Sequence, residues 1–114
     1  MEIKIIQENE PLIIELTGRL DASNSSDFDK RINEVFSNGI KNIALNLKYL
    51  TYISSAGLRI FMLILNNCTE AGKKFALISP DEMVAEVISI SGLSDLIPSF
   101  TERDEAIKYL VSCD

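Results

Sequence analysis

Short apolar runs of period two alternate along this chain with longer segments whose apolar residues recur at helical spacing, and this alternation constrains the fold most. Ile3 to Ile6 and Leu12 to Leu16 read as two strands joined by the polar turn Gln7-Glu8-Asn9-Glu10-Pro11, which makes an antiparallel opening pair. After Gly18-Arg19-Leu20-Asp21 the period changes. Phe28, Ile32, Val35 and Phe36 share one face of a helix, with Ser25 or Ser26 available to cap its start and Asn38-Gly39 its end. Ile43 to Leu47 is a third strand. The helix that follows, from Ser55 to near Gly72, is so apolar through Phe61, Met62, Leu63, Ile64 and Leu65 that it is expected among the most buried elements.

Phe75 to Ile78 is a fourth strand. Ser79-Pro80-Asp81-Glu82 has the layout of a cap, a first-turn proline and a capping box, opening a helix with Met83, Val84, Val87 and Ile88 inward and a stop at Gly92. Leu96 to Phe100 reads as a short last strand, placed at an edge by Pro98. Thr101 with Asp104 caps a final helix whose inner face is Ala106, Ile107, Leu110 and Val111. The order predicts an α/β fold: a mixed, mostly parallel sheet of about five strands with an antiparallel N-terminal strand, and about four helices. No repeat or linker interrupts it, and 114 residues suffice for one domain, residues 1–114, with its own core.

Composition then removes function classes. With 17 acidic against 11 basic residues the chain carries a net charge of -6, where a nucleic-acid binder would show a basic stripe. The absence of histidine removes Ser-His-Asp and Cys-His chemistry and the usual imidazole metal sites. Neither a phosphate loop nor a dinucleotide turn occurs, so no catalytic residue, cofactor or metal is expected and the chain is not read as an enzyme. Cys68 and Cys113 lie far apart and are expected as two free thiols, Cys68 buried, in a reducing compartment. The N-terminus lacks a signal-peptide layout and no apolar run approaches the roughly 20 residues of a membrane span, so a cytoplasmic location without membrane insertion is expected.

One segment stands out chemically. Tyr52-Ile53-Ser54-Ser55-Ala56-Gly57-Leu58 places hydroxyls where a strand turns into a helix. Either Ser54 or Ser55 can cap that helix, and a phosphate on the same oxygen would be stabilised by the unpaired amides and positive dipole end. Ala56 and Gly57 leave the approach open. Asp21 directly follows the second strand, so it shares one sheet edge with Ser55 if the two strand ends point the same way.

At these residues the chain resembles the STAS domain, found in bacterial anti-sigma-factor antagonists and in the cytoplasmic tails of sulfate transporters. The resemblance rests on Leu16-Thr17-Gly18-Arg19-Leu20-Asp21, Leu45-Asn46-Leu47, Tyr52 to Leu58 and Ser91-Gly92-Leu93, in that order and spacing. In the family a helix-start pattern Asp-Ser-Ser/Thr-Gly-Leu is phosphorylated on the serine after the Asp. Matching Gly57-Leu58 places that serine at Ser55, with Ser54 where the Asp stands and as a rival acceptor, and Ala56 where the second hydroxyl stands. Asp21 matches the family's acidic residue beside the phosphorylation site, so Asp21, Ser54, Ala56 and Gly57 are the expected partner-binding or site-adjacent residues. The resemblance implies partner switching. The unphosphorylated protein would bind an anti-sigma factor that is also a serine kinase, phosphorylation of Ser55 would release it, and a serine phosphatase would reset it. The alternative is a non-switching STAS module that docks constitutively in a transporter-accessory or signalling assembly, with Ser55 only a cap.

Overall fold

The opening strands β1 (Glu2–Gln7) and β2 (Leu12–Leu20) pair antiparallel, as the short polar turn between them requires. The structure is a computed structural model and describes residues 1–112, so the expected thiol of Cys113 lies outside the described residues. Beyond the hairpin follow α1 (Ser25–Val35), β3 (Ile43–Ile53), α2 (Ser55–Ala71), β4 (Phe75–Ile78), α3 (Glu82–Ile90), a 3-10 turn (Leu93–Asp95), β5 (Ser99–Phe100) and α4 (Arg103–Val111). The five strands lie in chain order, β1-β2-β3-β4-β5, and every pair after the first is parallel. This is the mixed, mostly parallel α/β sheet that the alternation predicts.

Alternation along the strands divides the core between the two faces. Leu12, Ile14, Leu16, Ile43, Leu45, Leu47, Phe75 and Leu77 face α1, α2 and α3, whose Phe28, Ile32, Ile60, Phe61, Ile64, Val84 and Ile88 complete the larger cluster. Phe61 sits at its centre, edge-on to Phe28 at 6.4 Å and to Phe75 at 6.2 Å between ring centroids. Burial of each such side chain contributes roughly 1.5–3 kcal/mol. On the opposite face α4 lays Ala106 and Leu110 over Ile13, Ala44, Ala76 and Ile78.

Two strands run further than their sequence pattern suggests. β2 continues past Leu16 to Leu20, and β3 past Leu47 to Ile53. The register between them slips after Glu15↔Asn46 and again after Gly18↔Leu50, each time by one extra residue in β3. These bulges turn a period of two into a period of three, so Leu47, Leu50 and Ile53 all point into the core. The last strand is shorter than expected. Gly92, at φ +86°, turns the chain into the 3-10 turn, and only Ser99 and Phe100 pair with β4, at the sheet edge where Pro98 is harmless.

Helix ends also differ. Asn24, not Ser25 or Ser26, is the boundary residue of α1, which stops at Val35, ahead of the Asn38-Gly39 turn. Ser79 is not a cap: it adopts φ +46°, its hydroxyl donates to the Thr101 carbonyl, and α3 starts after Asp81 without a side-chain cap, so the expected capping box does not form. At α4 the boundary is Glu102 rather than Thr101, and the Glu102 amide donates to the Glu105 carboxylate at 3.1 Å, the role expected of Asp104. Met83 and Val111, expected inward, are exposed, because Val84 with Ile88 and Ala106 with Leu110 already fill the narrow stripes those helices bury. α2 does end at Gly72, which takes a left-handed φ of +70° while Lys73 N–H donates to the Cys68 carbonyl at 2.7 Å. It is not buried all round, however: Gly57, Ile60, Phe61, Ile64 and Cys68 pack inward, whereas Met62 and Leu63 are exposed and Leu58 and Leu65 half-buried. A helix laid on one face of a sheet has only one side to hide.

Candidate functional site at the end of β2 and β3

The parallel pairing of β2 and β3 brings the sequence candidates together. Leu20 and Ile53 are register partners at the ends of their strands. One residue on, the Ser54 amide donates to the Leu20 carbonyl at 2.9 Å, which seats the start of α2 directly against the β2–α1 loop that Asp21 opens. Asp21 and the Ser54-Ser55 pair therefore occupy one sheet edge, as expected for strand ends that point the same way.

Ser54 takes the capping position that the sequence leaves open between two serines. Its backbone is extended (φ -97°, ψ 175°), its carbonyl accepts from Leu58 N–H at 2.9 Å, and its Oγ accepts from Gly57 N–H at 3.4 Å. Ser55 is the first residue of α2 and exposed, and its hydroxyl makes no hydrogen bond among the described residues. Ala56 beside it is half-buried. Gly57 is buried for a different reason from the open approach read in the sequence: a Cβ there would lie 2.8 Å from Leu20 Cγ and 2.9 Å from Ile53 Cγ1. The missing side chain is what allows the first turn of α2 to sit on the ends of β2 and β3.

Asp21 is organised by its own loop. Its carboxylate accepts from Ser23 Oγ at 2.5 Å and from Ser23 N–H at 3.0 Å, while Asn24 accepts from Asp21 N–H at 3.0 Å and donates to the Arg19 carbonyl at 2.8 Å. The Ser23 hydroxyl, then the Ser23 amide, hold the Asp21 pKa below its ordinary value, outweighing slight desolvation, and the nearby Arg19 charge adds to this. A carboxylate held by its own loop and kept ionised thus lies on the same sheet edge as the exposed serine.

Clefts lie away from this edge: one between β1, α1 and Lys41, one beneath Ser79 and Thr101, and one along Asp81, Glu82, Met83 and Glu86. No group of His, Cys, Asp or Glu suited to a metal occurs among the described residues, and no helix there is long and apolar enough to cross a membrane. Cys68 is buried and free, and burial pushes its thiol pKa up to about 12.

Sequence reasoning missed three features of the edge. Arg19 and Tyr52 are register partners, with the guanidinium 4.2 Å from the ring centre, a pairing visible only once the second bulge is known. The Ser23-Asn24 scaffold has a local signal, polar residues two and three positions after Asp21. Arg59, in sequence the one charged residue of the apolar run Leu58 to Leu65, lies on α2 one turn beyond Ser55.

Known proteins similar to this chain share this frame. The STAS domain family model matches residues 2–106. BtrV of Bordetella bronchiseptica, described as an anti-sigma factor antagonist, is 30% identical over 95 residues, 83% of this chain and 82% of that protein. The crystal structure of a Thermotoga maritima protein given the same description superposes with a TM-score of 0.82 at 26% identity, covering 97% of this chain and 94% of the other. The anti-sigma factor antagonist SpoIIAA shares the fold at about a fifth identity in two forms. Unphosphorylated it has a TM-score of 0.78 over 95% and 93% of the two chains; phosphorylated, from Bacillus, 0.70 over 95% and 96%. By its family model, its curated relatives and its fold, this chain belongs to the STAS domain family, among the anti-sigma factor antagonists.

Proposed function

We propose that the chain, residues 1–114 acting as one STAS unit in the cytoplasm, antagonises an anti-sigma factor by partner switching, with Ser55 as the switch. A STAS domain is a regulatory module and not a catalyst, so the chemistry comes from the partner. The anti-sigma factor, itself a serine kinase, binds the unmodified edge and frees its sigma factor. It then transfers the γ-phosphoryl group of ATP. A bond forms between Ser55 Oγ and phosphorus as the bond to the β-phosphate oxygen breaks, ADP leaves, and the hydroxyl proton passes to a base or to water. A serine phosphatase reverses the state by hydrolysis, returning the hydroxyl and inorganic phosphate.

The observation that carries this reading is the division of labour at the start of α2: Ser54 spends its oxygen on the cap, and Ser55 presents a free, exposed one. Ser55 also heads a stripe, Leu58, Met62 and Leu65, at spacings of 3, 4 and 3, that α2 leaves half-buried or exposed and that suits a protein partner. A phosphate adds about -1.5 to -2 charges. On the free domain the helix end stabilises that charge by roughly 0.3–1 kcal/mol. Inside an interface, beside the ionised Asp21, the same group must lose its water; a penalty of about 2.8 kcal/mol weakens binding about a hundredfold.

Incubating the purified chain with ATP and the kinase-type anti-sigma factor of the same genome, followed by mass spectrometry, tests the reading. Phosphate on Ser55 and loss of the complex are expected. A stable complex that never becomes labelled would replace the switch by constitutive docking.

A further inference from the structure

We infer that Arg59 is the in-chain counter-ion of a phosphate on Ser55, so that phosphorylation alters the docking edge twice, adding a dianion and drawing a guanidinium away from the partner. The inference rests on Ser55 as the modified residue and says what holds the phosphate once it is there.

Ser55 and Arg59 are four residues apart on α2, and both are exposed. Side chains on a helix lean toward its N-terminus, so a guanidinium at position 59 is within reach of the turn that carries Ser55. An anion at one position and a cation four residues later is the favoured orientation of a helical ion pair. The guanidinium fork matches two oxygens of a phosphate, which a lysine in its place would not.

Arg59 is also uncommitted. Its helical neighbours at three and four residues are Ser55, Ala56, Met62 and Leu63, none of them acidic, and the first turn of α2 has no acidic residue. Among the described residues Arg59 makes no ion pair or hydrogen bond. Four other cations are engaged elsewhere: Arg19 lies on Tyr52, Lys73 pairs with Glu10 at 3.3 Å, Lys74 donates to the Tyr109 carbonyl at 3.3 Å, and Arg103 reaches Gln7 at 3.5 Å. A phosphate on Ser55 is thus the acidic group that the spacing on this helix can offer Arg59. In the unphosphorylated protein the guanidinium is free to meet a partner; in the phosphorylated protein it folds back.

The test uses the full chain with phosphoserine placed at position 55 during translation, and follows the second ionisation of the phosphate by phosphorus NMR at low salt. The wild-type titration midpoint is expected roughly a third of a pH unit below that of Arg59→Gln. Arg59→Lys should retain part of the difference, Arg103→Gln should titrate like wild type, and 1 M salt should close the gap. Coincident titrations for wild type and Arg59→Gln would overturn the inference. Because the phosphate is installed without a kinase, the two ideas fail separately: an unshifted midpoint removes Arg59 and leaves Ser55 as acceptor, while a kinase that ignores Ser55 removes the proposed function and leaves the ion pair.

Discussion

The amide of Ser54 and the carbonyl of Leu20 are joined by a 2.9 Å hydrogen bond, and this contact ties the end of β2 to the start of α2. It puts the Asp21 loop and the two serines on one edge, with Ser54 turned to the helix and Ser55 to solvent.

The two serines should therefore separate cleanly by mutation. Ser54→Ala removes the cap and is expected to cost about 0.5–1 kcal/mol, at the low end for a cap because the bond is long, while phosphate incorporation continues. Ser55→Ala should change stability by less than about 0.5 kcal/mol yet abolish incorporation, and Ser55→Glu should weaken the complex with the anti-sigma factor. Thermal unfolding together with kinase labelling checks all three; full labelling of Ser55→Ala would reassign the site.

Gly57→Ala tests the seating of α2. An added Cβ would meet Leu20 and Ile53, both fully buried and unable to move aside, at 2.8–3.0 Å. Overpacking of this kind costs about 1–3 kcal/mol, set against a helix-propensity gain of up to about 1 kcal/mol. A net loss is expected, seen as a lower urea midpoint at unchanged slope. A neutral result would mean that α2 can lift from the strand ends.

Asp21 should titrate below 3.8 in the folded protein, and Ser23→Ala should raise its midpoint, since the Ser23 hydroxyl is the largest cause of the depression. A carboxylate with a depressed folded pKa favours the folded state above its unfolded value, and that contribution is lost as pH falls through the folded value. The loop should therefore loosen only in acid, below about pH 4, and carbon-13 NMR of the carboxyl group reads both effects. An Asp21 midpoint unchanged in Ser23→Ala would show that the loop does not hold the charge.

Cys68 carries the opposite sign. Its thiol is raised from 9.0 to about 12 by burial and secondarily by the Glu10 charge, so the folded state keeps a proton that the unfolded chain releases. Stability from this group is intact below about pH 9 and falls between there and pH 12. With Cys113 replaced by serine so that one thiol reports, a thiol reagent at pH 8 should leave Cys68 unmodified in the folded chain and label it once urea unfolds the protein; rapid labelling of Cys68 in the native protein would contradict the burial.

What the sequence by itself determined follows from local physics. Period two and period 3.6 mark strands and helices wherever one face is buried, so the order of elements, the opening hairpin, the end of α2 at Gly72 and the serine-bearing turn were all readable. The Ser55 candidate was readable too, as was Asp21 as its neighbour in principle. Only the tertiary structure decided what depends on contacts between distant segments. Bulges in β3 appear in the register against β2, and they hide the second half of the strand from a period-two reading. Ser79 gave up its apparent cap because the Thr101 carbonyl, 22 residues away, accepts its hydroxyl. Met62 and Leu63 are exposed because a sheet covers one side of a helix only. The choice between Ser54 and Ser55 is of the same kind: both can cap by local chemistry, and the bond from Ser54 to Leu20 sets where the helix begins and thus which hydroxyl is left free.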